Sequence, residues 1–287
     1  MACRACCRSD YPGGRYRPGN IPGHTIILKG ACQSQVRQAA SDFDRHLDDI
    51  NLLVQSHPTL GKDIPNLREM LREVIDRLDG NPVSVRIEND QTNENEYVQI
   101  GKFEIQLLMY SLLGRDRSIG QVPKLVYDMY NDEYLEVAKM IYQLKSRGQS
   151  ISAMLIMMDG SSGASAQRLN RLQIEDNATT LGPVVHFLFP ELALAWEVPE
   201  LGPEFLAPVT SDRPVLIVSG SMDARTPISN GDEVAQGLSN SHHLIVQNAG
   251  HPPPLMMIEN ELRDFLQGRP ITANYIQGPV LDFVPVR

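Results

Sequence analysis

The chain has 287 residues, enough for one large domain or two moderate ones with a substantial buried core. Its 42% hydrophobic and 21% charged residues are those of a folded globular protein, which excludes wholesale disorder. The formal net charge is -9, with Asp and Glu scattered rather than blocked, and this argues against a nucleic-acid or anionic-membrane partner, because both require a clustered basic surface.

All four cysteines fall at the start: Cys3, Cys6, Cys7 and Cys32. Cys3 and Cys6 have the spacing of a zinc ligand pair, but no second C-x-x-C follows and only His24 lies near, so disulfides or free thiols are expected before a metal. Their pairing stays open. The opening "MACRACCRSDYPGGRYRPG" lacks the apolar region of a secretory signal, which suits either a cytosolic protein or a chain whose natural start lies elsewhere. Disulfides would instead favour export, so the compartment is undetermined. No apolar run approaches the roughly 20 residues that span a bilayer, and no transmembrane segment is expected.

Residues 11–31 are dense in Gly and Pro and read as loop, with "TIILK" at most a short strand. Val36, Ala39, Ala40, Phe43, Leu47, Ile50 and Val54 recur at helical spacing and predict an amphipathic helix over 35–55. A second helix carries Leu67, Met70, Leu71, Val74, Ile75 and Leu78 on one stripe, with Pro65 near its start and Gly80 as its stop. Alternation of Val83, Val85 and Ile87 predicts a half-buried strand. Three more helices are expected over 103–113, 118–130 and 132–145, so the first 150 residues are mostly helical.

After Ser150 the pattern changes. "SAMLIMMD" is a continuous apolar run, as in a strand buried on both faces of a parallel sheet, and "GSSGAS" after it reads as loop. A helix near 164–172 and a Pro-rich connection lead to the strand "PVLIVSG", a helix around 229–238 with Ser229 as N-cap, the strand "HHLIVQNAG" and the helix "LMMIENELRDFLQG". Strand and helix alternate through this half, which argues for an α/β layer.

Chemistry gathers where two of these strands end. "LIVSGSMDARTP" delivers Asp223 into a loop closed by Pro227, and "HLIVQNAGHPPP" delivers His251 just after Gly250. Beyond the carboxyl ends of parallel strands, loops converge and functional groups collect. A buried carboxylate that accepts the Nδ1 proton of a histidine fixes its tautomer and leaves Nε2 free to take a proton from a nucleophile. Each residue alone is as readily a loop acid at a helix start and a loop histidine beside prolines. Together, in the order acid then base at corresponding strand ends, they point to a Ser-His-Asp hydrolase.

The stretch "APVTSDRPVLIVSGSMDARTPISNGDEVAQGLSNSHHLIVQNAGH", 207–251, resembles the C-terminal region of α/β-hydrolase peptidases of the prolyl iminopeptidase and tripeptidyl aminopeptidase type. That resemblance implies an α/β fold in which 151–287 is the C-terminal part of the hydrolase sheet and 1–150 a mostly helical cap, with 13–62 poorly matched. It implies that Asp223 is the triad acid, His251 the triad base, and that the activity is release of N-terminal residues from peptides, without cofactor. "AMLIMMDGSSG" resembles the strand on which such a chain re-enters its sheet after the cap, and Asp159 at its end would hold a substrate's α-amino group. Relatives of this type are often exported.

The G-x-S-x-G nucleophile elbow and the Gly-rich oxyanion loop of that family do not occur in these residues. The nearest imitation is "GSSGA", 160–164, which would make Ser162 the nucleophile. Order favours Ser162, since serine, acid and base follow one another as in α/β-hydrolases. Topology opposes it, because only one strand lies between Ser162 and Asp223 and the cap would precede the elbow. The expectation is therefore a hydrolase by descent, inactive as an isolated chain and missing an N-terminal half, acting on a peptide or a small ester or amide. The alternative is a non-catalytic peptide- or partner-binding protein that uses the cap, the cleft and an unpaired sheet edge at 151–158. His242 and His243, adjacent on a strand, point to opposite faces and are not expected to share a ligand. Trp196 and Phe205 are expected to anchor their connection to the core.

Overall fold

The computed structural model describes residues 26–29, 40–89, 94–147, 153–164, 166–187, 189, 191–202, 207–251 and 253–286. The four cysteines and Phe205 lie outside the described residues. In chain order the elements are β1 (Ile26–Lys29), α1 (Ala40–Ser56), α2 (Leu60–Asp63), α3 (Leu67–Leu78), β2 (Val83–Glu88), β3 (Asn95–Ile100) and α4 (Lys102–Leu113). Then come α5 (Asp116–Ile119), α6 (Val122–Tyr130), α7 (Leu135–Arg147), α8 (Ala153–Ser162), α9 (Ala166–Ala178) and α10 (Glu191–Ala195). The last are β4 (Val215–Gly220), α11 (Ile228–Ala235), β5 (Ser241–Val246), α12 (Glu259–Leu266) and β6 (Tyr275–Ile276).

Helices and strands form two layers, an α/β arrangement. The sheet has the order β1-β4-β5-β6 and all its pairs are parallel. β4 is central and buried along its whole length. Three of its first four residues are β-branched, and the pleat sends alternate side chains to opposite faces. Val215 and Ile217 pack on Val234 and Leu238 beneath α11, while Leu216 and Val218 pack on Leu244, Val246 and Ile258. This strand is two-sided because helices cover both faces.

The helical layer has its own core, running from Ala40 to Val185. α3 shows how sequence makes it: Leu67, Met70, Leu71, Val74, Ile75 and Leu78 are all buried, as their 3-4 spacing requires. Asn66 caps the helix by accepting the Glu69 N–H at 3.2 Å, and Gly80 leaves it at φ 85°. β2 and β3 form an antiparallel hairpin packed under α7. β3 had no counterpart among the expected elements, although Val98 and Ile100 alternate inward.

Several expectations are corrected. "SAMLIMMD" is not a strand; 153–162 is helix α8. A short apolar run has no readable period, so composition must decide, and this one is built from Ala, Met and Leu, none branched at Cβ, with Ile156 its single β-branched residue. With the described residues 153–158 in α8, the binding alternative loses the open sheet edge it drew on there. Ser229 is not an N-cap: α11 starts at Ile228, with Pro227 in the cap position. The helix expected over 118–130 is two helices, α5 and α6, separated at Gly120, against whose Cα the carbonyl of Asp282 packs. "TIILK" supplies β1, paired in parallel with β4, so the stretch 1–150 contributes a strand to the sheet and the helical layer continues beyond 150 through α9.

The loop after β4 and the C-terminal tail both bind the layers. Met222 and Ala224, either side of Asp223, bury their side chains in the helical core. The tail after β6 runs back over the helices, where Val284 N–H donates to Gly120 O at 3.0 Å and Phe283 stands edge-on to His57.

Candidate functional site

β4 ends at Gly220, and the loop 221–227 carries Asp223 between the layers. Gly220 is required there: a Cβ would stand 2.2 Å from Ala249 O. The loop is cross-tied to the one that follows β5. Ser221 N–H donates to Val246 O at 3.0 Å, Met222 N–H to Ala249 O at 2.9 Å, and Asn248 N–H to Ser221 Oγ at 2.8 Å. Asn248 takes the left-handed conformation, φ 58°, which Asn tolerates better than most residues, and the chain then turns through Gly250 to His251.

These ties bring Asp223 and His251 into contact. His251 Nδ1 lies 2.9 Å from Asp223 Oδ2. The carboxylate is fully enclosed, 0% exposed, and its acceptor sites are filled. Oδ1 accepts the N–H groups of Arg225 at 2.9 Å and Thr226 at 2.8 Å, and Oδ2 accepts the Thr226 hydroxyl at 2.7 Å. Four bonds compensate the burial of one charge. Thr226 Oγ1 is also 3.0 Å from His251 Nδ1. Because a carboxylate can only accept, Nδ1 carries the proton, and in the neutral ring the lone pair then sits on Nε2. The imidazole is 22% exposed, so the arrangement places a proton acceptor at an accessible rim.

Sequence reading missed Thr226, His46 and Arg225. The D-x-x-T spacing in "DARTP" was the available signal for Thr226, since an Asp commonly accepts from the backbone two and three residues on. His46, on α1, is buried, and Asp223 is close enough to act on its charge. Burial lowers its pKa to about 4, with Asp223 pulling upward and Arg45 downward, so the ring is neutral at pH 7. Its Nε2 has no hydrogen-bond partner among the described residues, and the same holds for the buried Nε of Arg225. The Arg225 guanidinium lies over the Tyr110 ring at 5.6 Å, and its Nε packs on Gly114, where a Cβ would come within 2.6 Å.

Asp159 and Ser162 lie on α8, which packs against α10: Gly160 abuts Ala193 and Val198, and Ser161 O accepts Leu201 N–H at 2.9 Å. A nucleophile elbow is a strand-to-helix turn, whereas Ser162 closes a helix, so the strand premise behind its nucleophile role fails. Among the described residues, the hydrogen bonds of His251 run to Asp223 and Thr226, and none joins its Nε2 to a serine. His242 and His243 do diverge: His242 Nε2 is 2.7 Å from Ala273 O, and His243 faces α11. Trp196 is half exposed.

No group of three His, Cys, Asp or Glu side chains among the described residues could hold a metal ion. A cavity of about 450 Å³ lined by Pro214, Ser241, His242, Phe265 and Arg269 opens at the amino ends of β4 and β5, across the sheet from Asp223 and His251. No helix among the described residues is long and apolar enough to cross a membrane.

Residues 191–268 match the family described as TAP-like protein, an α/β-hydrolase family. The matched segment contains both Asp223 and His251. None of the curated proteins matches the chain.

Proposed function

We propose that Asp223 and His251 are the acid and base of a serine-hydrolase mechanism directed at peptides, releasing N-terminal residues as an aminopeptidase does. The reading is supported above all by one observation, an enclosed carboxylate 2.9 Å from Nδ1 of an accessible imidazole at the carboxyl ends of adjacent parallel strands. The match of this segment to a hydrolase family adds to it.

In this mechanism Nε2 takes the proton of a serine hydroxyl as the oxygen attacks the substrate carbonyl, and returns it to the leaving amine. Asp223 holds the ring and stabilises the imidazolium while the proton is on it. Thr226 keeps Oδ2 aimed at Nδ1 throughout. The serine and the oxyanion donors come from outside 207–251, and the isolated chain is catalytically silent.

Incubation with amino-acid and tripeptide nitroanilides tests both parts. The chain alone should release no nitroaniline, while the peptides should shift the ring resonances of His251 in NMR spectra. Turnover that disappears in Ser162→Ala would contradict the missing nucleophile. Peptides and esters that leave His251 unperturbed would contradict the hydrolase site itself.

A further inference from the structure

A second histidine–acid pair, here joined by a serine, links β4, β5 and α11. His243 on β5 faces Asp232 on α11 and Ser219 on β4, with Nδ1 2.9 Å from Asp232 Oδ1 and Nε2 2.9 Å from Ser219 Oγ. Atom for atom this is the connectivity of a hydrolytic triad, yet access is opposite. Ser219 is 1% exposed. Gly231 covers the pair so closely that a Cβ there would come 2.6 Å from the imidazole and 2.9 Å from Ser219 Oγ. An acyl carbon has no room between that hydroxyl and α11.

We propose that Ser219, His243 and Asp232 form a positioning strap that holds loop 221–227 so that Asp223 stays on His251. Ser219 stands one residue before β4 gives way to the loop, and Asp232 lies one turn into the helix that receives it. The imidazole joins these two ends from β5, the strand that itself leads to His251. The ring so closed contains Asp223, Arg225 and Thr226, the residues whose bonds set the direction of the carboxylate. Asp232 is 64% exposed, and an exposed ion pair adds little to stability, so its contribution is orientation. It accepts from Nδ1–H and thereby turns the Nε2 lone pair to the Ser219 hydroxyl, which donates to it. Gly231 lets the helix approach closely enough for this to happen.

The inference concerns the contact between Asp223 and His251, not hydrolysis, so it can fail while the hydrolase reading stands, and the reverse. Its test is hydrogen exchange of the His251 Nδ1 proton in the full chain labelled with ¹⁵N-histidine. Ser219→Ala and Asp232→Ala should each speed that exchange about tenfold, the scale of one lost hydrogen bond. Combining them should add little, because both break one device. Asp232→Asn keeps an acceptor oxygen and should stay near the parent rate. Should Ser219→Ala fail to fold, the exposed Asp232 variants decide. A lower melting temperature with unchanged His251 exchange would overturn the strap, leaving only a structural role. Covalent labelling of Ser219 by a fluorophosphonate would also overturn it, since a covered hydroxyl should not react.

Discussion

His251 and His243 hold the same partners in the same order up to a point: each presents Nδ1 to a carboxylate at 2.9 Å. They differ in what encloses them. The acid of His251 is buried and its ring is 22% exposed, whereas the acid of His243 faces water and its Nε2 side is closed by Ser219 beneath Gly231. Connectivity alone therefore does not separate a base from a brace. On the proposed function, enclosure of the acid concentrates its field on the ring, and exposure of the ring leaves its Nε2 lone pair for a substrate proton. Reversing both conditions leaves a hydrogen-bonded bridge among β4, β5 and α11.

The sharpest way to break the comparison is to remove each acid. Asp223→Ala strands two buried N–H groups, a hydroxyl and an imidazole proton, and should cost about 3–5 kcal/mol in urea unfolding. A loss below 1 kcal/mol would show that the carboxylate is not enclosed as described. A third imidazole, His46, separates burial from pairing, since it is buried with no partner on Nε2 among the described residues. Its pKa of about 4 when folded lies below the ordinary histidine value of 6.5, so between those pH values the unfolded chain binds the proton and the folded chain does not. Stability is therefore lost as pH falls from 6.5 towards 4, by about 3 kcal/mol in all. In His46→Leu this part of the pH dependence should vanish from denaturation midpoints measured across that range.

Gly231→Ala drives a methyl into His243 and Ser219 and should cost about 1–3 kcal/mol, read as a fall in melting temperature. If it is neutral, α11 does not lie on the pair. Asp232→Ala is the smallest effect: an exposed acid on the brace should cost about 0–1 kcal/mol in the same measurement, and a loss matching that of Asp223→Ala would erase the distinction between the two carboxylates.

The comparison also marks what the amino-acid sequence discloses. Asp223 and His251 were legible because strands end where β-branched runs end, and chemistry collects at such ends in a parallel sheet. β4 and β5 were equally plain, with "VLIV" and "HLIV" carrying β-branched side chains of which α8 has only Ile156. The misread of 153–162 comes from a run too short to show a period, in which the scarcity of β-branched residues was the one signal for helix. Ser219, His243 and Asp232 come from three elements and meet only through the register of β4 with β5 and the seat of α11, which no local pattern encodes. Nothing local within 35–55 singles out His46, and its burial beside the loop of Asp223 depends on how the two layers meet.

Everything functional depends on His251 being a neutral ring with its proton on Nδ1 and its lone pair outward. ¹⁵N NMR of the histidine-labelled chain reads this directly. The account predicts the Nδ1–H tautomer, with a strongly downfield proton that Asp223→Ala abolishes. A ring protonated on Nε2 instead, with no such proton, would contradict it.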